Sequence, residues 1–324
     1  MIPFPVGVFS GGRAIPLLNQ ISAGTTVIAA WSTGRLLKSG VLYSVAASII
    51  GTSVQKIGFY GGVFNSAALI SYAAGGATAV QGTGGTGNYL FDQTGNANHL
   101  ARGNANSYFC PLTTGAGALN APFTCLGKSV PGWSTGYNGL STGNNGPFLS
   151  TVSSGGALQS PMNVSFGATN KWWFSGVVRS KSGSGSVFGR IGSFVHTGDS
   201  RDFNSPTSAV LNALNNSNTN GFQGGNNNGA STNGEGPVGT PYHFIVVWDG
   251  VHQTLYINGV NVSQVANTAS LGAGGTLGVG DDANAGAFGL DSYAGDYVEL
   301  MCGTTLASAD LTLITANMMA AYSI

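Results

Sequence analysis

Charge is what this chain has least of. Only 7% of its 324 residues are Asp, Glu, Lys or Arg, against about 25% in an ordinary soluble domain. There is no Lys/Arg cluster and the sequence pI is about 6.9, so no nucleic acid is expected as a partner. No stretch approaches the roughly 18 to 20 apolar residues of a membrane helix, so no membrane is expected either. Glutamate occurs twice, at Glu235 and Glu299, which narrows any chemistry that needs paired carboxylates. The three cysteines, Cys110, Cys125 and Cys302, are odd in number and match no zinc spacing. Cys110 and Cys125 are close enough in sequence to pair, and Cys302, after "YVELM", reads as a buried thiol. The N-terminal "MIPFPVGVFSGGRAIPLLNQ" has no basic residue ahead of its apolar part and is broken by Pro3 and Pro5, so it does not read as a signal peptide.

What is present points to strands. Hydrophobic residues make up 42% of the chain and Gly contributes 53 residues; a Gly-rich, low-charge chain with β-branched runs suits an all-β protein with many tight turns. The few charges are segregated. All 11 Lys and Arg lie at or before Arg201, opposed there by Asp92 and Asp199 alone; the other acids all follow. Either the two halves interleave in one sandwich and cancel, or the subunit has basic and acidic faces that meet in an assembly.

Residues 1–26 read as an extended N-terminal arm, and 27–324 as a single domain. "VLYSVAAS" and "VQKIGFY" alternate as strands do. "FNSAALISYAAGG" reads as a short helix capped by Asn65 or Ser66 and ended by Gly75. "GNYLFDQTGNANHL" is a strand running into a turn, in which Asp92 and Asn96 are set to bind backbone and Gly95 permits the bend. "KWWFSGVVRS" and "SGSVFGRIGSFVHTG" are strands, and Trp172 and Trp173 should then face opposite sides. "NNSNTNGFQGGNNNGASTNGEG", from Asn215 to Gly236, reads as an exposed polar loop. The strongest signal is "PYHFIVVWDGVHQTLYINGVNV", two hairpins with Asp249-Gly250 and Asn258-Gly259 turns. "SADLTLITANMMAAY" is a closing helix with Ser308 as N-cap and Asp310 in its first turn.

Around "YHFIVVWDGVHQTLYINGV" and the later "LGVG", the sequence resembles the concanavalin A-like, laminin-G-type jelly roll over about residues 165–324. "AAWSTGRLL", "LISYA" and "YLFDQTGNANHL" resemble the start of the catalytic domain of arabinofuranosidase-B-type glycosidases, which extends the likeness to 27–324; related phage and bacterial surface proteins share the segment. The resemblance implies an all-β, concanavalin A-like jelly-roll sandwich with a few short helices. It also implies a retaining site built on two carboxylates about 5 to 5.5 Å apart. Its acid/base aspartate falls on Asp282 in "LGVGDD". Its nucleophilic glutamate, followed by two asparagines, falls on Leu214, ahead of Asn215 and Asn216. The family's adjacent cysteine pair has no counterpart here.

With the nucleophile position occupied by leucine, no catalytic residues are expected, and the chain reads as a non-enzymatic virion protein. A phage capsid-decoration, fibre or tail-associated subunit fits, located on the virion or outside the cell. Its partners would be other copies of itself, other virion proteins and, weakly, cell-surface glycans. The alternatives are a secreted lectin or adhesin and an arabinofuranosidase-type hydrolase. Asp282, Trp172, Asn215 and Asn216 are the glycan-binding candidates; Asp92, Gly95 and Asn96 form a structural turn. No cofactor is required; calcium is the one ion that Asp281 and Asp282 with loop carbonyls would suit. His196, Ser200, Asp199 and Asp202 have no nucleophile elbow around the serine.

Overall fold

The computed structural model describes residues 15–47, 55–73, 89–102, 122–133, 158–159, 171–180, 187–195, 209–216, 219–225, 232–237, 239–266, 276–279 and 295–324. After a 3-10 turn at Leu17–Asn19, the N-terminal half holds β1 (Val27–Ser32), β2 (Tyr43–Ala47), β3 (Gln55–Tyr60), β4 (Val63–Phe64), α1 (Ser66–Ala73), β5 (Tyr89–Leu90), β6 (Ala101–Arg102), β7 (Phe123–Cys125), β8 (Lys128–Val130) and β9 (Leu158–Gln159). The C-terminal half holds β10 (Trp172–Ser180), β11 (Val187–Val195), β12 (Ala209–Asn216), β13 (Thr219–Gly225), β14 (Thr232–Glu235), β15 (Tyr242–Trp248), β16 (His252–Ile257), β17 (Val260–Ala266), β18 (Thr276–Val279), β19 (Gly295–Gly303) and α2 (Ser308–Tyr322).

These strands make two large antiparallel sheets, in the orders β1-β19-β10-β15-β16-β17 and β14-β13-β12-β11-β18-β9-β6, with a smaller sheet β4-β3-β2-β5 and the hairpin β7-β8. The expected all-β sandwich with few helices is what the chain forms. The two hairpins with Asp-Gly and Asn-Gly turns are in place. Asn258 and Gly259 both have positive φ, at 48° and 79°, and join Ile257 to its partner Val260. Such turns match the right-handed twist of the strands they link. At the other turn, one Asp249 carboxylate oxygen accepts the N–H of Val251 and of His252, and those bonds hold its pKa below the ordinary value against the opposing effect of burial.

The six-stranded sheet is covered on both faces, so Trp172 and Trp173, expected to face opposite sides, are both buried, at 4% and 0% exposed. One face packs on the seven-stranded sheet, where Phe174 stacks on Phe244, Trp172 meets Trp248 edge-on, and the Tyr297 hydroxyl donates to Ile191 O of β11. The other face packs under α2, whose buried positions Asp310, Ile314, Met318, Ala321 and Tyr322 recur at helical spacing. Strands buried on both faces read as continuous apolar runs, as "FIVVW" does.

Two further expectations are corrected, for the Asn/Gly tract and for the cap of α2. The Asn/Gly tract is not a loop: it supplies the end of β12, all of β13 and β14, because strand preference depends more on sheet context than on residue type. Residues 15–26 of the expected arm lie on their own chain, with Leu17 buried and Ser22 and Thr25 hydroxyls donating to Asp310 at 2.6 and 2.5 Å; residues 1–14 lie outside the described residues. The N-cap of α2 is Ala307, whose N–H goes to Thr25 Oγ1 at 2.9 Å, and not Ser308. The basic and acidic halves are cross-paired within one chain: Arg35 binds Glu299 and Arg179 binds Asp296, where β10 meets β19 and where the chain leaving β1 returns toward it. At α1, Asn65 Oδ1 accepts Ala68 N–H as a cap should.

Candidate functional site

Topology decides which residues can meet. Within the seven-stranded sheet β12, β14 and β18 run parallel to one another, each separated from the next by an antiparallel neighbour. Their carboxyl ends therefore leave the sheet on the same side. That side matches the end of the other sheet where β10 finishes and where β15 and β19 begin, since Val178 pairs with Tyr242 and Ser180 with Gly295. At that end β10 finishes and β11 begins, β14 finishes and β15 begins, and β18 finishes and β19 begins. Segments held at the rim of a rigid sandwich are where binding and catalysis concentrate.

Asn215 and Asn216, the last two residues of β12, stand at this end. β18 stops at Val279, and Asp281 and Asp282, which follow it, lie outside the described residues, as do the calcium reading attached to them and the set His196, Asp199, Ser200 and Asp202. Trp172 begins β10 and is at the opposite end, buried, with its indole N–H unpartnered among the described residues. Asn215 and Asn216 thus lie at the same end of the sheet as the last residue of β18, and Trp172 does not.

Most carboxylates at described positions hold the fold. Asp92 is 5% exposed and accepts the N–H of Ala30, Thr94 and Asn98 and the Thr94 hydroxyl, at 2.6 to 3.1 Å. Its own N–H donates to His99 Nδ1 at 3.0 Å, and burial holds His99 below the ordinary histidine pKa. Gly95, at φ 94°, makes the bend, and Asn96 donates to Val27 O and Ile28 O. Glu299, fully buried in β19, takes a two-pronged bond from Arg35 at 2.7 and 2.9 Å, with the Tyr322 hydroxyl at 2.8 Å and the Ser32 hydroxyl at 3.2 Å. Burial pushes the Tyr322 phenol well above its ordinary pKa. Nothing in "GRLL" signals a partner 264 residues later in sequence, and this network is what sequence reading misses most completely.

A serine–histidine pair lies elsewhere. Ser175 Oγ is 2.9 Å from His243 Nε2, but both are fully buried beneath α2, with Met318 Sδ 3.6 Å from the hydroxyl. Burial drives the histidine pKa down to about 3. Its Nδ1 has no partner among the described residues, so no third group orients it as a catalytic base requires. This is core packing. The Cys125 and Cys302 thiols are free and buried; burial raises the first to about 12. Cys110 is outside the described residues. Among the described residues no group of three or more His, Cys, Asp or Glu is placed to hold a metal ion.

No family model matches the chain, and no curated protein matches it in sequence. Solved structures do. An arabinofuranosidase complexed with arabinofuranosyl-α-1,2-xylobiose superposes with a TM-score of 0.64 at 16% identity, over 95% of this chain and 65% of that one. A GH54 α-L-arabinofuranosidase soaked with a cyclic sulfate inhibitor gives 0.63 at 15% identity, over 95% and 66%. A glutamate-to-glutamine mutant of such an enzyme, soaked with 4-nitrophenyl α-L-arabinofuranoside, gives 0.65 at 15%, over 95% and 66%. The chain thus spans just under two thirds of the length of these neighbours. The likeness fixes the fold over nearly the whole chain. These structures, which superpose on 95% of the chain, are arabinofuranosidases, and that corrects the expectation of a non-enzymatic virion subunit.

Proposed function

We propose that this chain is a glycoside hydrolase acting on α-L-arabinofuranosyl groups, with its site at the end of the sandwich where β12, β14 and β18 finish. The observation that carries the reading is the superposition on arabinofuranosidases over 95% of the chain. The composition agrees with it. A neutral sugar offers hydroxyls and no charge, which asparagine amides can meet with paired donors and acceptors. Asn215 and Asn216 are assigned that role. Asp282, at the acid/base position implied by the sequence resemblance, would give its proton to the glycosidic oxygen as the bond to the anomeric carbon breaks. The second carboxylate that glycoside hydrolysis requires does not come from β12, where Leu214 occupies the matching position.

The test is release of 4-nitrophenol from 4-nitrophenyl α-L-arabinofuranoside, and of free arabinose from arabinoxylan, by the purified chain. Turnover of both is the expected result. In Asp282→Asn, hydrolysis of the polysaccharide should fall far more than that of the aryl glycoside, whose leaving group needs little protonation. Absence of turnover on either substrate overturns the proposal.

A further inference from the structure

We infer that the outward face of the small sheet binds an otherwise neutral oligosaccharide carrying a uronic acid, with its rings on Tyr43 and Tyr60 and its carboxylate on Lys56. This is a second glycan site, built on β2, β3 and the residue after β5. It does not depend on the hydrolase reading above.

The first support is what the sheet turns outward. On β3, Ile57 is buried in the core, so Lys56, Gly58 and Tyr60 stand on the other face. Lys56 is exposed, and Tyr60 is 82% exposed. Tyr43 of β2 pairs with Gly58 and shares its face, at 40% exposed. The half-buried Phe91 brings its ring to 6.1 Å from that of Tyr43, and His99 meets Phe91 edge-on at 5.1 Å. Gly58 can carry no side chain, because a Cβ there would stand 1.9 Å from Leu42 O. The face therefore stays low between Lys56 and Tyr60. Large aromatic side chains ordinarily go to cores and interfaces, and their electron-rich faces meet the C–H faces of sugars. A patch of them left open marks a binding surface.

The second support is the polar chemistry between those rings. Lys56 Nζ lies 5.5 Å from the centroid of the Tyr43 ring and 5.8 Å from that of Phe91. The rings hold the ammonium by cation–π attraction without neutralising it, and among the described residues it has no carboxylate partner. His99 Nδ1 accepts the N–H of Asp92, which puts the proton of the neutral ring on Nε2 as a donor. The face thus offers an ammonium, an imidazole N–H and two phenol hydroxyls. That set suits an acceptor, and one cation suits one carboxylate. A nucleic acid would instead require several phosphate contacts. Length narrows the ligand further. Lys56 and Tyr60 are four residues apart on one strand, about 13 Å at about 3.3 Å per residue. That is longer than a single sugar ring, so the ligand is an oligosaccharide.

Titration calorimetry with a glucuronoxylan oligosaccharide bearing one glucuronic acid, and with xylotetraose as its neutral counterpart, tests the inference. The acidic sugar should bind at least about tenfold more tightly, and the difference should shrink in about 0.5 M sodium chloride. That comparison needs no variant. Lys56→Gln should lose the tenfold preference and Lys56→Arg should keep it. Tyr60→Ala should weaken binding of both sugars. Both positions are exposed, so melting temperatures should match the wild type. Equal binding of the two sugars, binding of neither, or a Lys56→Gln protein that binds as the wild type does overturns the inference. A chain that binds the acidic sugar and hydrolyses no arabinoside supports this inference and overturns only the hydrolase reading; hydrolysis without such binding does the reverse.

Discussion

His243 makes the stability of this fold depend on pH in a way that can be calculated. The imidazole is fully buried between β10 and α2, with Ser175 Oγ on Nε2, the Met318 side chain near that hydroxyl, and no charged group bonded to it. Burial lowers its pKa from 6.5 to about 3. Between those values the unfolded chain carries a proton here that the folded chain does not, so stability rises with pH across that window and falls as acid is added. Each pH unit is worth about 1.4 kcal/mol. The loss is about 3 kcal/mol at pH 4.5 and about 5 kcal/mol by pH 3. Urea unfolding at pH 7 and pH 4.5, followed by tryptophan fluorescence, measures the total dependence, to which carboxylates also contribute. Subtracting the same difference for His243→Gln, which keeps a polar tip and cannot titrate, isolates the histidine. A remainder of about 3 kcal/mol is expected. If the two proteins change equally, to within about 0.5 kcal/mol, His243 is not buried neutral and the packing of α2 described above is wrong.

Three other perturbations follow from named contacts. Arg35→Met leaves the Glu299 carboxylate buried without its cation and should cost about 3 to 5 kcal/mol, whereas Arg35→Met with Glu299→Leu should recover most of the loss; thermal melts of the single and double variants decide it. Gly303→Ala would place a Cβ 1.8 Å from Thr26 O and 2.6 Å from Trp173 Nε1, a backbone collision that should lower stability by at least about 1 to 3 kcal/mol, read as a drop in the urea midpoint. Asp92→Ala removes the acceptor for three N–H groups and a hydroxyl, and bonds to a charged group are worth about 1.5 to 3 kcal/mol each without being additive. A loss of at least about 3 kcal/mol is expected, and an Asp92→Ala protein that melts with the wild type would show that the turn is held by something else.

The parts of the fold legible in sequence are those specified by neighbours along the chain. Asn258-Gly259 declares a hairpin because few other pairs adopt two successive positive φ angles, and Asp92 with Gly95 declares a turn because its partners at 94 and 98 are close by. The Asn/Gly tract misleads because its strands are specified by the sheet they join, which no local pattern records. Trp172 misleads for the same reason: alternation gives its face, but only α2 and the opposing sheet together show that both faces are covered. Asn215 and Asn216, the last residues of β12, are legible through their resemblance to a family motif, whereas their place at the end of the sheet where β18 also finishes depends on two successive strand registers that no local pattern records.

The same dependence on distant partners bears on where the folding unit begins. The jelly-roll resemblance is carried by residues 165–324, and that stretch holds all ten strands from β10 to β19, which form the body of both sheets, plus α2. It does not hold β1, which pairs with β19 from Val27 to Ser32, nor Arg35. Without them Glu299 remains buried and uncompensated, at a cost of about 3 to 5 kcal/mol. Leu17, Trp31, Leu37 and Trp133, all 0 or 1% exposed, are removed from the core, and full burial of such a side chain is worth about 1.5 to 3 kcal/mol each. The sum, about 9 to 17 kcal/mol, is as large as the roughly 5 to 15 kcal/mol by which an ordinary domain is stable. A fragment of residues 165–324 should therefore show no cooperative thermal transition and should be digested by protease under conditions that spare the full chain. A cooperative melt close to that of the full chain would show that the N-terminal half is an accessory layer, and would move the boundary of the folding unit to β10.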